Sequence, residues 1–153
     1  MNKRIIELEL IRSDDLLIHI ANNNDKKWDA IISVLDCEEG DFKILDRFRS
    51  RCRSHMYICR QNIKIGWCVA RIMGLAAVTY PLSEDNKVSV LIHCRDGLSL
   101  CCDVAVSYMR ACGYTTTEAT KQVLDVEPSA LLNPEFMDIH NSTHTVWTEK
   151  HMD

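Results

Sequence analysis

The stretch from residue 88 to residue 110 constrains the fold most, because it changes from strand-like to helix-like within a few residues. Residues 88–93 (VSVLIH) form a mostly apolar run, as expected for a buried strand. A polar loop with Gly97 follows, and from Ser99 onward apolar residues recur at helical spacing up to Gly113. A buried strand that leads directly into a helix is typical of α/β domains with a parallel sheet.

The rest of the chain repeats this alternation. Apolar runs predict strands over residues 5–11, 16–20 and 55–59, and a short helical turn that feeds a buried strand over residues 28–35. Helical spacing predicts helices over residues 41–53, 63–78, 99–112 and 118–124, and another from residue 134, with Thr115 or Thr116 capping the fourth. We therefore expect one α/β domain over residues 1–153, with a mostly parallel central sheet of about five strands flanked by helices.

Composition limits the classes of partner and compartment. The net charge of −4 gives no reason to expect nucleic acid or an acidic membrane surface as a partner. No apolar run reaches the length of about 20 residues that a membrane-spanning helix needs. The first residues carry charges instead of a signal peptide, and the eight cysteines include no C-x-x-C pair. We expect an intracellular protein, cytoplasmic or nuclear, with reduced thiols and without metal or cofactor.

Cys94 is the cysteine whose position suggests reactivity. It lies between the predicted strand and the predicted helix, where unpaired backbone amides and the helix dipole favour a thiolate. Gly97 permits a tight loop that could direct those amides at an anion. The alternative is a small buried cysteine at a strand end, but the spacing of His93, Gly97 and Ser99 around Cys94 favours a functional loop.

The pattern His93-Cys94-x-x-Gly97-x-Ser99 resembles the phosphate-binding loop of the cysteine-based protein phosphatases. The surrounding "VLIHC…G.S…AVSYMR…TTTEATKQV…NPEF" is similar to the compact dual-specificity phosphatases, most clearly over residues 88–136 and more loosely from residue 28. The resemblance implies a dual-specificity-phosphatase-like fold with Cys94 as the nucleophile. It also implies a phosphate loop formed by His93, Arg95, Asp96, Gly97, Leu98 and Ser99.

The sequence departs from that family at three positions that carry the chemistry. Leu100 stands where the family has the arginine that grips the phosphate, and Cys101 stands where it has a hydroxyl residue. Asn62 falls near the position of the aspartate that protonates the leaving group, and no Asp or Glu occurs between Asp46 and Glu84. The resemblance therefore implies a pseudophosphatase, in which Cys94 is vestigial.

We expect such a protein to act as a protein-binding or regulatory module, with a protein partner, phosphorylated or not, or with a second copy of itself. One alternative is a weak or atypical phosphatase that uses Cys94 with Arg95. Another is a redox-active protein in which Cys94 pairs with Cys101 or Cys102.

Two other features leave alternatives open. Arg47, Arg49, Arg51 and Arg53 would form a basic helical face, either a docking patch for an acidic or phosphorylated partner or an ordinary solvated surface. The three tryptophans, Trp28, Trp67 and Trp147, belong either to the core or to an interface, and the sequence does not separate these.

Overall fold

The computed structural model describes residues 4–36, 49–61, 64–81, 86–96 and 99–136, and these form a parallel sheet with helices on both faces. The sheet has four strands in the order β1-β4-β2-β3, all parallel. The strands are β1 (Ile5–Arg12), β2 (Trp28–Leu35), β3 (Cys52–Cys59) and β4 (Lys87–Cys94). The described helices are α1 (Leu16–Asn22), α2 (Ile65–Thr79), α3 (Leu100–Ala111) and α4 (Thr116–Val126).

The prediction of a fifth strand over residues 16–20 is wrong, because this segment is helix α1. A 3₁₀ turn, Ser13–Asp15, separates it from β1. Leu16 and Ile20 are four residues apart and both buried, whereas Leu17 and Ile18 between them are exposed. That spacing places one apolar stripe against the sheet, as a helix requires.

The predicted helix over residues 41–53 is also wrong at its end. Arg49–Arg51 form a 3₁₀ turn and Cys52 already begins β3, so the strand is longer than expected. Residues 37–48, and with them Arg47, lie outside the described residues.

The two central strands, β2 and β4, are buried on both faces, which explains their nearly continuous apolar sequences. On one face, α1 covers a small cluster that includes Trp28, Ile31 and Leu91. On the other face, α2, α3 and α4 enclose the larger part of the core. The even-numbered residues Ile32 and Ile92 point to this side, and so does Cys94.

Helix α3 is the central helix of the larger core. Every residue from 101 to 111 is buried, and the hydroxyl of Tyr108 is hydrogen-bonded to that of Thr79 on α2 at 2.6 Å. The helix is followed by Gly113, whose φ of 97° lies in the left-handed region. Thr115 then caps α4 in a reciprocal arrangement with Glu118, which decides between the two caps that the sequence predicted.

Candidate functional site

The candidate site lies where the carboxyl ends of the parallel strands meet. Cys94 is the last residue of β4 and pairs with Arg12, the last residue of β1. Beyond the loop, α3 begins at Leu100. The edge of the sheet at which parallel α/β folds bind ligands is therefore the one that carries the predicted loop. Gly97 and Leu98 lie outside the described residues, as does Asn62.

His93 is completely enclosed and forms the middle of a chain of hydrogen bonds across the sheet. Its Nδ1 is hydrogen-bonded to Ser13 Oγ at 2.9 Å, and its Nε2 is hydrogen-bonded to Ser33 Oγ on β2. Ser33 Oγ in turn is 2.8 Å from Nε2 of His55 on β3. Burial, with a smaller effect of the charge on His55, lowers the pKa of His93 from 6.5 to about 4. His93 is thus neutral at physiological pH.

Asp96 places a carboxylate directly beside Cys94. The Cys94 thiol donates to Asp96 Oδ1 at 3.5 Å. The Ser99 backbone amide donates to the same oxygen at 3.3 Å, and the Ser99 hydroxyl donates to Oδ2 at 3.0 Å. The loop therefore carries its own anion, bound by donors at the entrance to α3.

Three thiols meet beneath the loop. The Cys101 thiol is hydrogen-bonded to the thiols of Cys102 and Cys94, and these contacts together with burial raise the pKa of Cys101. Cys94 is 1% exposed and the other two are fully enclosed. All three are free thiols. The buried Cys101 thiol therefore stays neutral and behaves as a small apolar group.

The expectation that every thiol is reduced is wrong for Cys59, which is disulfide-bonded at the end of β3. The free thiols of the described ranges are Cys52, Cys68, Cys94, Cys101, Cys102 and Cys112. In the same part of the chain, no group of three or more His, Cys, Asp or Glu side chains is arranged to hold a metal ion. Nor does it contain a helix that combines the length and the apolar character needed to cross a membrane.

Arg95 extends away from the loop. Its side chain is 77% exposed, and its Nη1 lies 3.4 Å from Asp36 Oδ2, next to the end of β2. The Arg95 guanidinium is therefore ion-paired with Asp36 at the outer surface of the site.

Leu100 lies at the first position of α3 and lines a groove of about 380 Å³. The groove is apolar on the side formed by Ile65, Leu131, Leu132 and Phe136, and its described lining also includes Arg60, Ser99 and Asp103. Burial raises the pKa of Asp103 from 3.8 to about 6. Its carboxylate accepts a hydrogen bond from the backbone amide of Asn133 at 2.8 Å, which by itself would lower that pKa. Cys94 is not among the described residues that line this groove.

The predicted basic helical face is not present over residues 49–53. Arg51 donates from its guanidinium to the backbone oxygens of Lys26 and Asn23, which holds the turn before β2. Arg53 lies on β3 with its Nη1 3.5 Å from Asp29 Oδ1. Two of the four arginines therefore stabilise local structure and do not form one stripe with Arg49.

Sequence reasoning missed the partners of the site residues. Ser13, Ser33 and His55 complete the chain through His93, and Asp36 holds Arg95. One signal was available, because Ser13 and Asp36 immediately follow strands β1 and β2, whose carboxyl ends share this edge of the sheet.

Comparison with known proteins establishes the fold. No family model matches the sequence, and no curated protein matches it. Among solved structures, Tk-PTP in its active form is similar with a TM-score of 0.62 and 18% identity, covering 94% of this chain and 93% of that one. Human DUSP28 gives a TM-score of 0.62 at 14% identity, with 94% of each chain covered. PTPMT1 gives 0.61 at 13% identity, with 95% of this chain and 93% of that one covered.

These similarities confirm the dual-specificity-phosphatase-like α/β fold that the resemblance implied, with four strands in place of about five. The TM-scores establish the shared architecture, and at identities of 13–18% the activity has to be argued from the site itself.

Proposed function

We propose that this chain is a catalytically inactive protein with a dual-specificity-phosphatase-like fold, and that it acts as a protein-binding or regulatory module. The observation that carries the proposal is Leu100. At the first position of α3, where the family pattern has an arginine, its side chain belongs to a groove with Leu131, Leu132 and Phe136. An apolar side chain supplies neither the charge nor the paired donors that hold a phosphoryl group.

Asp96 supports the proposal independently. Its carboxylate accepts from Ser99 and lies 3.5 Å from the Cys94 sulfur, so a negative charge already occupies the mouth of the loop. That charge opposes an incoming phosphate, and it also opposes ionisation of the thiol that would attack it.

The expected loss of rate follows from the missing groups. Removing one preorganised charge-stabilising donor costs about 10²- to 10³-fold in rate, and losing a full cation costs at least that much. Replacing the general acid with an amide at Asn62 costs roughly a further 10²- to 10⁴-fold for leaving groups that require a proton.

The rival hypothesis is a weak phosphatase that uses Cys94 with another arginine. Arg95 is directed toward Asp36, which argues against this role. Arg60 lines the same groove as Ser99 and Leu100, so it is the second candidate for a substitute cation.

The first experiment is an aryl phosphate hydrolysis assay on the purified chain. We expect no turnover above that of the Cys94→Ser variant. Turnover that depends on Cys94 would refute the proposal, and Arg95→Ala and Arg60→Ala variants would then identify the substitute cation.

A second experiment asks whether the pocket can be restored. The double variant Leu100→Arg, Asn62→Asp should gain activity if only these groups are missing, and adding Asp96→Ala should increase it further. Leu100→Lys with Asn62→Asp is the matched control, because it restores the charge without the planar fork and should gain less.

The redox rival is disfavoured by the burial of the three thiols of Cys94, Cys101 and Cys102. The proposal leaves two kinds of partner, another protein, phosphorylated or not, and a second copy of this chain. Vanadate binding to the purified chain tests whether the loop still holds an anion. We expect no saturable binding to the wild-type chain and weak binding to Asp96→Ala, since that substitution frees the Ser99 donors.

A further inference from the structure

Helix α2 presents an exposed tryptophan between two cations, outside the loop described above. The Trp67 side chain is 74% exposed, the highest value among the exposed large hydrophobic residues of the described chain. Lys64 precedes it by three residues and Arg71 follows it by four, so both lie beside it on one helical face. All three line a groove of about 320 Å³.

The floor of this groove is apolar and its rim is cationic. Ile58 of β3 and Cys68 of α2 form buried parts of the lining, and burial raises the pKa of the Cys68 thiol to about 11, so it stays neutral. No acidic residue is among the described residues that line the groove. Within the described ranges, neither Lys64 nor Arg71 forms an ion pair.

This arrangement contrasts with several other cations of the described surface. Lys26 pairs with Glu9, Lys87 with Glu7, Arg53 with Asp29 and Arg95 with Asp36. Arg12, Lys27, Arg60 and Lys121 also form no ion pair within the described ranges, so the distinguishing feature of Lys64 and Arg71 is that they flank an exposed tryptophan. The chain as a whole has a net charge of −4. A face that carries two cations without described ion-pair partners, on an acidic protein, is therefore a local positive patch that attracts anionic groups.

The helix surface next to Trp67 leaves space for a bound chain. Ala70 and Gly74 follow it on the exposed side, and a Cβ at Gly74 would contact nothing within 4 Å. Exposed tryptophan flanked by basic side chains over an apolar floor is the composition of an interface centre, where Trp and Arg are enriched.

We propose that this face of α2, formed by Lys64, Trp67 and Arg71 over the floor of Ile58 and Cys68, docks an acidic segment of a protein partner that places an apolar side chain on Trp67. Charge complementarity selects this occupant. A second copy would present the same cations and no acidic group on this face, so self-association through it lacks a charge complement. The inference rests on the proposed role as a binding module and assigns a surface to it.

The experiment uses the full, isotope-labelled chain and follows its tryptophan indole signals by NMR, with the Trp67 signal assigned through Trp67→Phe. The probe is a short peptide with one leucine among glutamates. Its controls are the same peptide with lysines for the glutamates and the same peptide with serine for the leucine. We expect the acidic leucine peptide to shift the Trp67 signal saturably and more weakly as salt is added. Neither control peptide should match it.

Charge-reversal variants localise the binding. Lys64→Glu and Arg71→Glu should each weaken the affinity for the acidic leucine peptide by about tenfold or more, because each replaces an attraction by a repulsion. Lys121→Glu, at an exposed position on α4, makes the same change in net charge and should leave the affinity unaltered.

Several results would overturn the inference. These are no Trp67 shift with the acidic peptide, an equal shift with the lysine peptide, or binding to phosphatidylserine vesicles without binding to the peptide. Self-association in sedimentation that Trp67→Ala abolishes would assign the face to a second copy instead. Aryl phosphate turnover would refute the proposed inactivity without altering the peptide result, so the two failures are distinguishable.

Discussion

The enclosed imidazole of His93 should make the folded state sensitive to acid in a defined pH range. In the unfolded chain His93 takes up a proton near pH 6.5, whereas in the folded protein burial lowers its pKa to about 4. Between these values the unfolded state binds more protons. The free energy of unfolding therefore falls as the pH falls through this range, and the loss levels off below about pH 4.

The magnitude follows from the difference between the two pKa values. A difference of about 2.5 corresponds to about 3 kcal/mol, at about 1.4 kcal/mol for each pH unit. The hydroxyls of Ser13 and Ser33 can accept from either ring nitrogen, so burial away from water is the main cause that disfavours the charged ring.

The assay is urea unfolding at a series of pH values for the wild-type chain and for His93→Asn. The substitution will lower stability at every pH, since it removes buried contacts, so the informative quantity is the difference between the two curves. We expect the wild type to lose about 3 kcal/mol more than the variant between pH 7 and pH 4. Parallel curves would refute the argument, because they would mean that His93 is protonated equally easily in both states.

Three further substitutions test other features. Burial raises the pKa of Asp103 to about 6, so its ionised form destabilises the fold above that pH. In urea unfolding, the free energy of unfolding of Asp103→Asn minus that of the wild type should be about 2 to 3 kcal/mol larger at pH 8 than at pH 4. An equal difference at both pH values would contradict this. Thr115→Ala removes the cap of α4 and should cost about 1 kcal/mol, seen as a lower Tm in circular dichroism, whereas an unchanged Tm would show that the cap contributes nothing. Gly113→Ala places a side chain at a φ of 97° and should cost about 1 to 2 kcal/mol in the free energy of unfolding, and a neutral effect would mean that the turn relaxes.

The sequence predicted those elements whose periodicity is strong. Strand β4 is a nearly continuous apolar run, and α3 has a long helical spacing that ends at a glycine. The apolar run of β2 was also predicted to be a strand, but the helical turn expected at its start is wrong, because β2 is extended from Trp28 onward. The prediction for residues 16–20 was wrong because a five-residue segment with four apolar side chains fits a strand as well as a helix. Only the packing of Leu16 and Ile20 against the sheet decides between the two.

The candidate site was predictable in location but not in its contacts. The rule that ligands bind at the carboxyl ends of parallel strands places Cys94 correctly. The hydrogen bonds of His93 depend on strand register, in which Ser33 pairs with His93 across 60 residues of sequence. No local pattern encodes that pairing. Trp67 shows the same limit, since its exposure depends on which face of α2 meets the core.

The complete burial of α3 has a consequence for how relatives of this chain should be interpreted. Packing alone restricts which side chains fit at residues 101–111, and Cys94 is held in the same interior. A mutational scan read out by abundance in cells should therefore penalise bulky or charged replacements of Cys94 as strongly as those of Val104. The shape of the interior would then be enough to explain the persistence of a cysteine at this position over evolutionary time, and that persistence would not by itself indicate surviving chemistry.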